Sequence, residues 1–342
     1  MVEYSRLNDP KMYQNCDKKN LMLPAASVPA FAVQEGERVC HSLVPFNQMP
    51  FDEIYGQMDM VDIAITEEVA RSKYLTSLQI YEYLGLRGIY VKRDRIRKKI
   101  VRLMKMRVIQ EKSLNRPVKE CGLRYYGLDV KGYQIAKELG VTFHMGNRYL
   151  SFRKMEETGT GMAAKDVKRI LAGNQIVLGL LLSGAKMERF GIMETLRVDM
   201  EFDDQEECIL RTAAIVKVDA ESVLAYEVAR DCAEAYEKLA DKVRRYYKLV
   251  HNEQYLSASY HGDRAFPQLV ICGESLEHNQ KIVNYLKSAE LWNEEDTILF
   301  TEDLLNMGDS LRSIYAIGED GRICWYSLPG NGIGRGSDKR LA

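Results

Sequence analysis

Apolar side chains recur every three or four residues between Val61 and Leu139, the spacing of helices that bury one face. Val61, Ile65, Val69 and Ala70 predict a first helix over residues 61–73. Thr76-Ser77 is an N-cap signal for a second, which carries Leu78, Ile80, Tyr81 and Leu84 and ends at Gly85. After a turn over 85–88, VKRDRIRKKIVRLMKMRVI predicts a third helix with Val91, Ile96, Ile100, Leu103 and Met104 on one stripe. The period then falls to two. Residues 108–112 alternate as a strand, 113–122 are turn-rich, and 123–128 read as a returning strand. Asp129 caps a last helix over 130–139. Helix–turn–helix followed by a hairpin is the pattern of a winged helix, placed at 61–150.

From Met162 to Leu328 helices and strands alternate, so the fold class is α/β (α+β) with two domains. A long helix is expected over 162–187, with residues 174–182 apolar almost all round. Strands are expected over 195–202, 209–218, 222–228, 268–272 and 297–300, with helices over 231–250 and 277–288. A hairpin over 314–317 and 323–326 closes the domain. Residues 1–60 hold Pro24, Pro29, Pro45 and Pro50 without a sustained apolar period, and predict an irregular arm. Residues 329–342 are Gly-rich and basic, a flexible tail.

Charge sharpens this division. The 342 residues carry 48 Lys and Arg against 49 Asp and Glu, but residues 67–154 hold 21 basic and 8 acidic side chains. That segment is at +13 and the remainder at −14. An asymmetry of this size fits one module that meets a polyanion, or two oppositely charged surfaces packed on each other. From Arg87 to Arg107 there are ten basic residues and one acid, Asp94. A helix with an apolar stripe and a cationic outer face is what entry into a major groove requires. Lys92, Arg93, Arg95, Arg97, Lys98, Lys99 and Arg102 on the third helix are candidate DNA contacts, with Lys112, Arg116, Lys119 and Arg124 on the wing. Arg93, Arg95 and Arg97, near the helix start, are the first candidates for base contact. A solvated charged face or an acidic protein partner is the alternative.

The winged helix ends in Leu128-Asp129-Val130-Lys131-Gly132, and a hairpin, Glu227, a Lys- and Tyr-rich helix and a buried strand follow. This succession resembles the replication-relaxation family of plasmid and conjugative-element proteins, over about residues 61–286. The resemblance implies a second domain, at 162–328, similar to the PD-(D/E)xK nuclease core: a restriction-endonuclease-like α/β domain with a mixed sheet. In such a core an Asp on one strand and an E-x-D or E-x-K on the next hold a divalent cation, since hard ions prefer oxygen ligands. Here Arg211-Thr212-Ala213 stands where Arg-Pro-Asp would, and Glu227-Val228-Ala229 where Glu-x-Asp would. Glu227 is thus a remnant, and one carboxylate does not make a magnesium site; in another register Asp219 or Glu221 is the missing acid. Tyr236, Lys238 and Lys242 fit the following helix. No catalytic residue, metal or cofactor is implied.

Other chemistry finds no support in the sequence. The five histidines are scattered, the seven cysteines form no CxxC pair, and neither TGTG (158–161) nor GNGIGRG leads into a phosphate-binding loop. No apolar run approaches a bilayer span and the first residues are polar, so a cytoplasmic protein without a membrane partner is expected. Two functions stand: a non-enzymatic, sequence-specific double-stranded DNA-binding protein of a mobile element, or a metal-dependent endonuclease or nicking accessory. In the first, the C-terminal domain dimerises or recruits a protein. A protein-binding winged helix is a third, weaker reading.

Overall fold

The structure is a computed structural model that describes residues 31–34, 36–41, 45, 47, 49–115, 122–143, 164–197, 209–219, 222–250, 267–292, 298–318 and 321–330. The chain forms two compact units, Val33–Asn174 and the combination of Met1–Ala32 with Gln175–Ala342. Together they make a mixed α/β protein. No helix among the described residues is long and apolar enough to cross a membrane.

The first unit begins with strand β1 (Arg38–His41) and helix α1 (Phe51–Gln57), where irregular chain was expected. Helices α2 (Met60–Ser72), α3 (Ser77–Leu86) and α4 (Arg93–Lys105) follow, then strands β2 (Ile109–Asn115) and β3 (Leu123–Leu128), then α5 (Val130–Glu138). Capping fixes the helix starts. Asp59 and Asp62 form a reciprocal capping box on α2, Thr76 and Gln79 another on α3, and Asp129 caps α5. α3 runs through Gly85, and the chain turns at Gly88, which takes a positive φ of 75°. Ile65 and Val69 of α2, Ile80 and Leu84 of α3, and Ile96, Ile100 and Leu103 of α4 are buried. Burying each such side chain contributes about 1.5–3 kcal/mol.

β1, β2 and β3 form an antiparallel sheet in that order. Leu75, between α2 and α3, exchanges both backbone hydrogen bonds with Tyr126 at the far edge of β3 (3.0 and 2.8 Å). Neighbouring Lys73 has φ 63° and ψ −53°, and the Tyr74 N–H donates to the Ser72 carbonyl across it (2.7 Å). This is the rarer, strained γ-turn.

Helix α6 (Ala164–Leu182) holds the boundary between the units, at Asn174–Gln175. On the first side of it the Asn174 amide donates to the Ser72 and Tyr74 carbonyls (3.0 Å each). The second unit then contains β4 (Arg189–Ile192), β5 (Thr195–Arg197), β6 (Ile209–Arg211), β7 (Ala214–Lys217) and β8 (Val223–Val228). Next come α7 (Ala233–Val250), β9 (Gln268–Gly273), α8 (Leu276–Ser288), β10 (Leu299–Glu302), α9 (Asp303–Met307), β11 (Ile314–Ile317) and β12 (Ile323–Tyr326). The single strand expected over 209–218 is broken at Thr212-Ala213, because its halves serve different sheets: β6 pairs with β5, and β7 with β8.

The described strands make a seven-stranded sheet in the order β12-β11-β10-β9-β8-β7-β4. β8, β9 and β10 are parallel and the flanking pairings antiparallel. Helices α7 and α8 bury Leu239, Val243, Ile282 and Leu286 in one cluster with Ile215, Ala225, Leu269, Ile271 and Phe300. Residues of the other parity, Leu224, Tyr226, Val270, Cys272 and Leu299, are buried as well, which accounts for the continuous apolar run of β9.

Candidate nucleic-acid interface

α4 carries the basic cluster, and its buried stripe settles which way each cation points. With Ile96, Ile100, Leu103 and Met104 inward, helical spacing places Asp94, Lys98, Val101 and Lys105 on the opposite, outermost line. Arg95 lies on one flank of that line and Arg97 on the other. Lys92, Arg95, Lys98 and Lys105 are exposed and make no ion pair among the described residues. Arg97 is exposed and 3.7 Å from Asp94.

Four of the ten basic residues are paired with acids of other segments. Lys99 Nζ donates to Asp59 (2.5 Å) and Asp62 (3.0 Å), and Arg102 to Asp62 (3.2 Å) and the Gln57 carbonyl (2.7 Å). The Asp62 side chain is 1% exposed and that of Lys99 11%, so these contacts clamp α4 onto the start of α2. Burial opposes ionisation of Asp59, but the Lys99 hydrogen bond and the Asp62 amide outweigh it and hold the carboxyl at about 2. Arg87 bridges Glu67 (2.7 Å) and Glu68 (3.1 Å), and Arg107 pairs with Asp129 (3.3 Å). Lys99 and Arg102, candidate DNA contacts from sequence, are therefore held in ion pairs to the start of α2. Sequence separation hides this, because their acids lie about forty residues upstream.

The remaining candidates divide further. Arg93 stacks its guanidinium 4.9 Å over the Tyr81 ring, toward α3. Lys112 sits on the central strand of the small sheet with Nζ 5.7 Å over Tyr74, and burial pushes its pKa down. It is a packing residue. Arg124 is exposed on β3. Burial, then Glu111, raises the Tyr126 hydroxyl pKa, while Arg124 and Arg97 both draw it down, so both guanidiniums lie within electrostatic reach of one hydroxyl. Arg116 and Lys119 lie outside the described residues.

Sequence reasoning passed over four residues of this surface. Tyr90, in the turn before α4, is 87% exposed. Lys105 and Val101 lie on the outermost line with Asp94, and Val101 is 43% exposed. A shallow depression of about 280 Å³ beside Val101 is lined by Met49, Gln57, Lys98, Arg102 and Lys105. A signal existed: projecting the stripe onto a helix gives its opposite line without coordinates.

In the second unit Glu227 is buried on β8, and its Oε1 accepts from Lys242 Nζ of α7 (2.6 Å). Ala213 and Ala229, at the positions that would carry acids, are buried methyl groups. Asp219 lies beyond Lys217 and Val223, at the end of the hairpin away from Glu227, roughly 20 Å along the strand at 3.3 Å per residue. Those two cannot share one cation. Glu221 lies outside the described residues. Among the described residues no group of three or more His, Cys, Asp or Glu side chains is placed to hold a metal.

Compared with protein-family models, with curated proteins and with solved structures, the chain has no significant match.

Proposed function

We propose that residues 33–174 form a winged helix that binds double-stranded DNA through the outer face of α4. The observation that carries this is the row of exposed cations Lys92, Arg95, Lys98 and Lys105, with Arg97 and Arg124 beside it and a large exposed aromatic, Tyr90, at its start. A solvated helix interleaves both signs to gain i,i+4 pairs; this face has one acid. The Leu75–Tyr126 bridge and the β2–β3 hairpin supply the small sheet that a winged helix sets against its three helices.

The second unit supports, by its order of elements, the likeness to a nuclease core: hairpin β7–β8, Glu227 on β8, the Lys- and Tyr-rich α7, then buried β9 parallel to β8. Its role in this reading is non-catalytic, either as a dimerisation unit or as the seat of a protein partner. The chain is then a sequence-specific DNA-binding protein of a mobile element, acting in plasmid replication or relaxation or in transcriptional control. The nuclease alternative is disfavoured by the Lys242–Glu227 pair and by the alanines where further acids would stand.

One pair of assays decides. Gel shifts with the full chain should show duplex binding that Arg95→Ala with Lys98→Ala weakens by at least tenfold, while supercoiled plasmid with Mg²⁺ stays intact. Nicking that disappears in Glu227→Ala would establish the nuclease instead.

A further inference from the structure

We infer that Asp94, Lys98 and Val101 are the base-reading side chains, with Asp94 selecting a base that offers an exocyclic amine to the major groove. The inference rests on the duplex-binding reading above. It deepens that reading by naming which residues choose the site.

Asp94 is the one acid on the cationic helix, and its side chain is 88% exposed. Arg97, its ion-pair partner at 3.7 Å, is itself 74% exposed, and a solvated pair of that kind holds neither residue in place. Asp94 shares the outermost line with Lys98, Val101 and Lys105, whereas Arg93 is folded back onto Tyr81. Arg97 occupies a flank. The residues that meet the floor of a groove are those on the outermost line; those on the flanks meet its phosphate walls.

A carboxylate brought between two phosphate backbones is repelled unless it finds a donor. The major groove offers it two, the N4 amine of cytosine and the N6 amine of adenine. One turn along, Lys98 presents an ammonium suited to guanine O6 and N7. Val101 follows with an exposed isopropyl group suited to the thymine methyl. Acid, cation and apolar group on one line seek different base edges, an amine, an acceptor pair and a methyl.

A local role for Asp94 competes with this. The N-cap Lys92 makes no side-chain hydrogen bond to the helix, and an acid in the first turn favours the positive end of the helix dipole. That role predicts an effect on melting and none on base preference.

The test is selection of bound duplexes from a random pool with the full chain, Asp94→Ala, Asp94→Asn and Val101→Ala. The parent should enrich a site with cytosine or adenine at one defined position. Asp94→Ala should erase that preference, roughly ten- to hundred-fold, while binding random duplex as tightly or more tightly. Asp94→Asn should move the preference toward adenine, whose N6 and N7 match an amide. Val101→Ala should relax a thymine preference elsewhere in the site. An enriched site unchanged in Asp94→Ala and Asp94→Asn overturns the inference and leaves DNA binding standing. A parent that neither enriches a sequence nor shifts duplex at low salt overturns the binding reading itself, and the inference with it.

Discussion

Asp62 shows how a charged residue in this chain can be mistaken for a surface group. It is buried, receives Lys99 and Arg102, and closes the capping box on the Asp59 amide. Asp62→Ala would leave Lys99 with a single carboxylate partner and open the start of α2. A loss of about 2–3 kcal/mol is expected in urea unfolding followed by far-UV circular dichroism. Lys99→Ala should likewise cost stability, where Lys98→Ala costs none. Acid weakens the same clamp: Asp59 titrates at about 2 in the folded chain against 3.8 unfolded, so its contribution is whole above pH 3.8 and lost as pH falls toward 2. In the second unit two buried groups set opposing slopes. Burial pushes His278 down to about 4 from 6.5, so the unfolded chain takes up a proton that the fold refuses, and stability falls as pH drops from 6.5 toward 4. Burial, then the charge of Asp303, raises Glu302 to about 7 from 4.5, against the Leu276 amide, and stability falls as pH rises from 4.5 to 7. Glu302→Gln removes only the second slope. It should match the parent near pH 5 and exceed it at pH 8 by about 1–3 kcal/mol. The chain's two tryptophans, Trp292 and Trp325, both lie in this unit, so their fluorescence reports the comparison. Equal stability of the two proteins at pH 8 would contradict the assignment to Glu302.

At the scale of elements, most of the fold was legible where local chemistry decides it. The caps Thr76 and Asp129, the stripe of α4 and the hairpin β11–β12 stand where periodicity and N-cap residues place them. What escaped was set by partners distant in sequence. β1 has no pattern of its own and is a strand because Arg38–His41 pairs with residues 112–115 of β2. The split of residues 209–217 between β5 and β8 is likewise a tertiary choice, as is the short α9 after β10. Of the candidate site, the helix, its sign of charge and, by projection of the stripe, its outermost line were legible, but the pairing of Lys99 and Arg102 was not, since Asp59 and Asp62 are far upstream. Close approach tests the packing. A methyl group at Gly132 would overlap the Val108 carbonyl, and one at Gly179 the Asn306 carbonyl. Gly132→Ala should therefore destabilise the first unit by about 1–3 kcal/mol, and Gly179→Ala the second by as much. Thr76→Ala, which opens a capping box on α3, should cost about 1 kcal/mol.

For the whole molecule, the near-neutral total of −1 conceals a cationic segment in an otherwise acidic chain. Part of that segment's charge is paired within its own unit, at Arg87, Lys99, Arg102 and Arg107, while Lys92, Arg95, Arg97, Lys98 and Lys105 stand exposed at α4 and Arg124 on β3. In the proposed reading this residual charge, rather than the raw count, would set the duplex affinity, because each phosphate neutralised contributes about −0.9 to the log–log dependence of affinity on salt. The most direct measurement is therefore the duplex affinity of the full chain across a salt series, for the parent, for Arg95→Ala with Lys98→Ala, and for Lys99→Ala. The slope of the double variant should be shallower than the parent's by at least roughly 0.9, the share of Arg95 at the phosphate wall, and that of Lys99→Ala unchanged while it remains folded. Identical slopes in the parent and the double variant, or a parent that ignores duplex DNA at low salt, would contradict a DNA-binding α4.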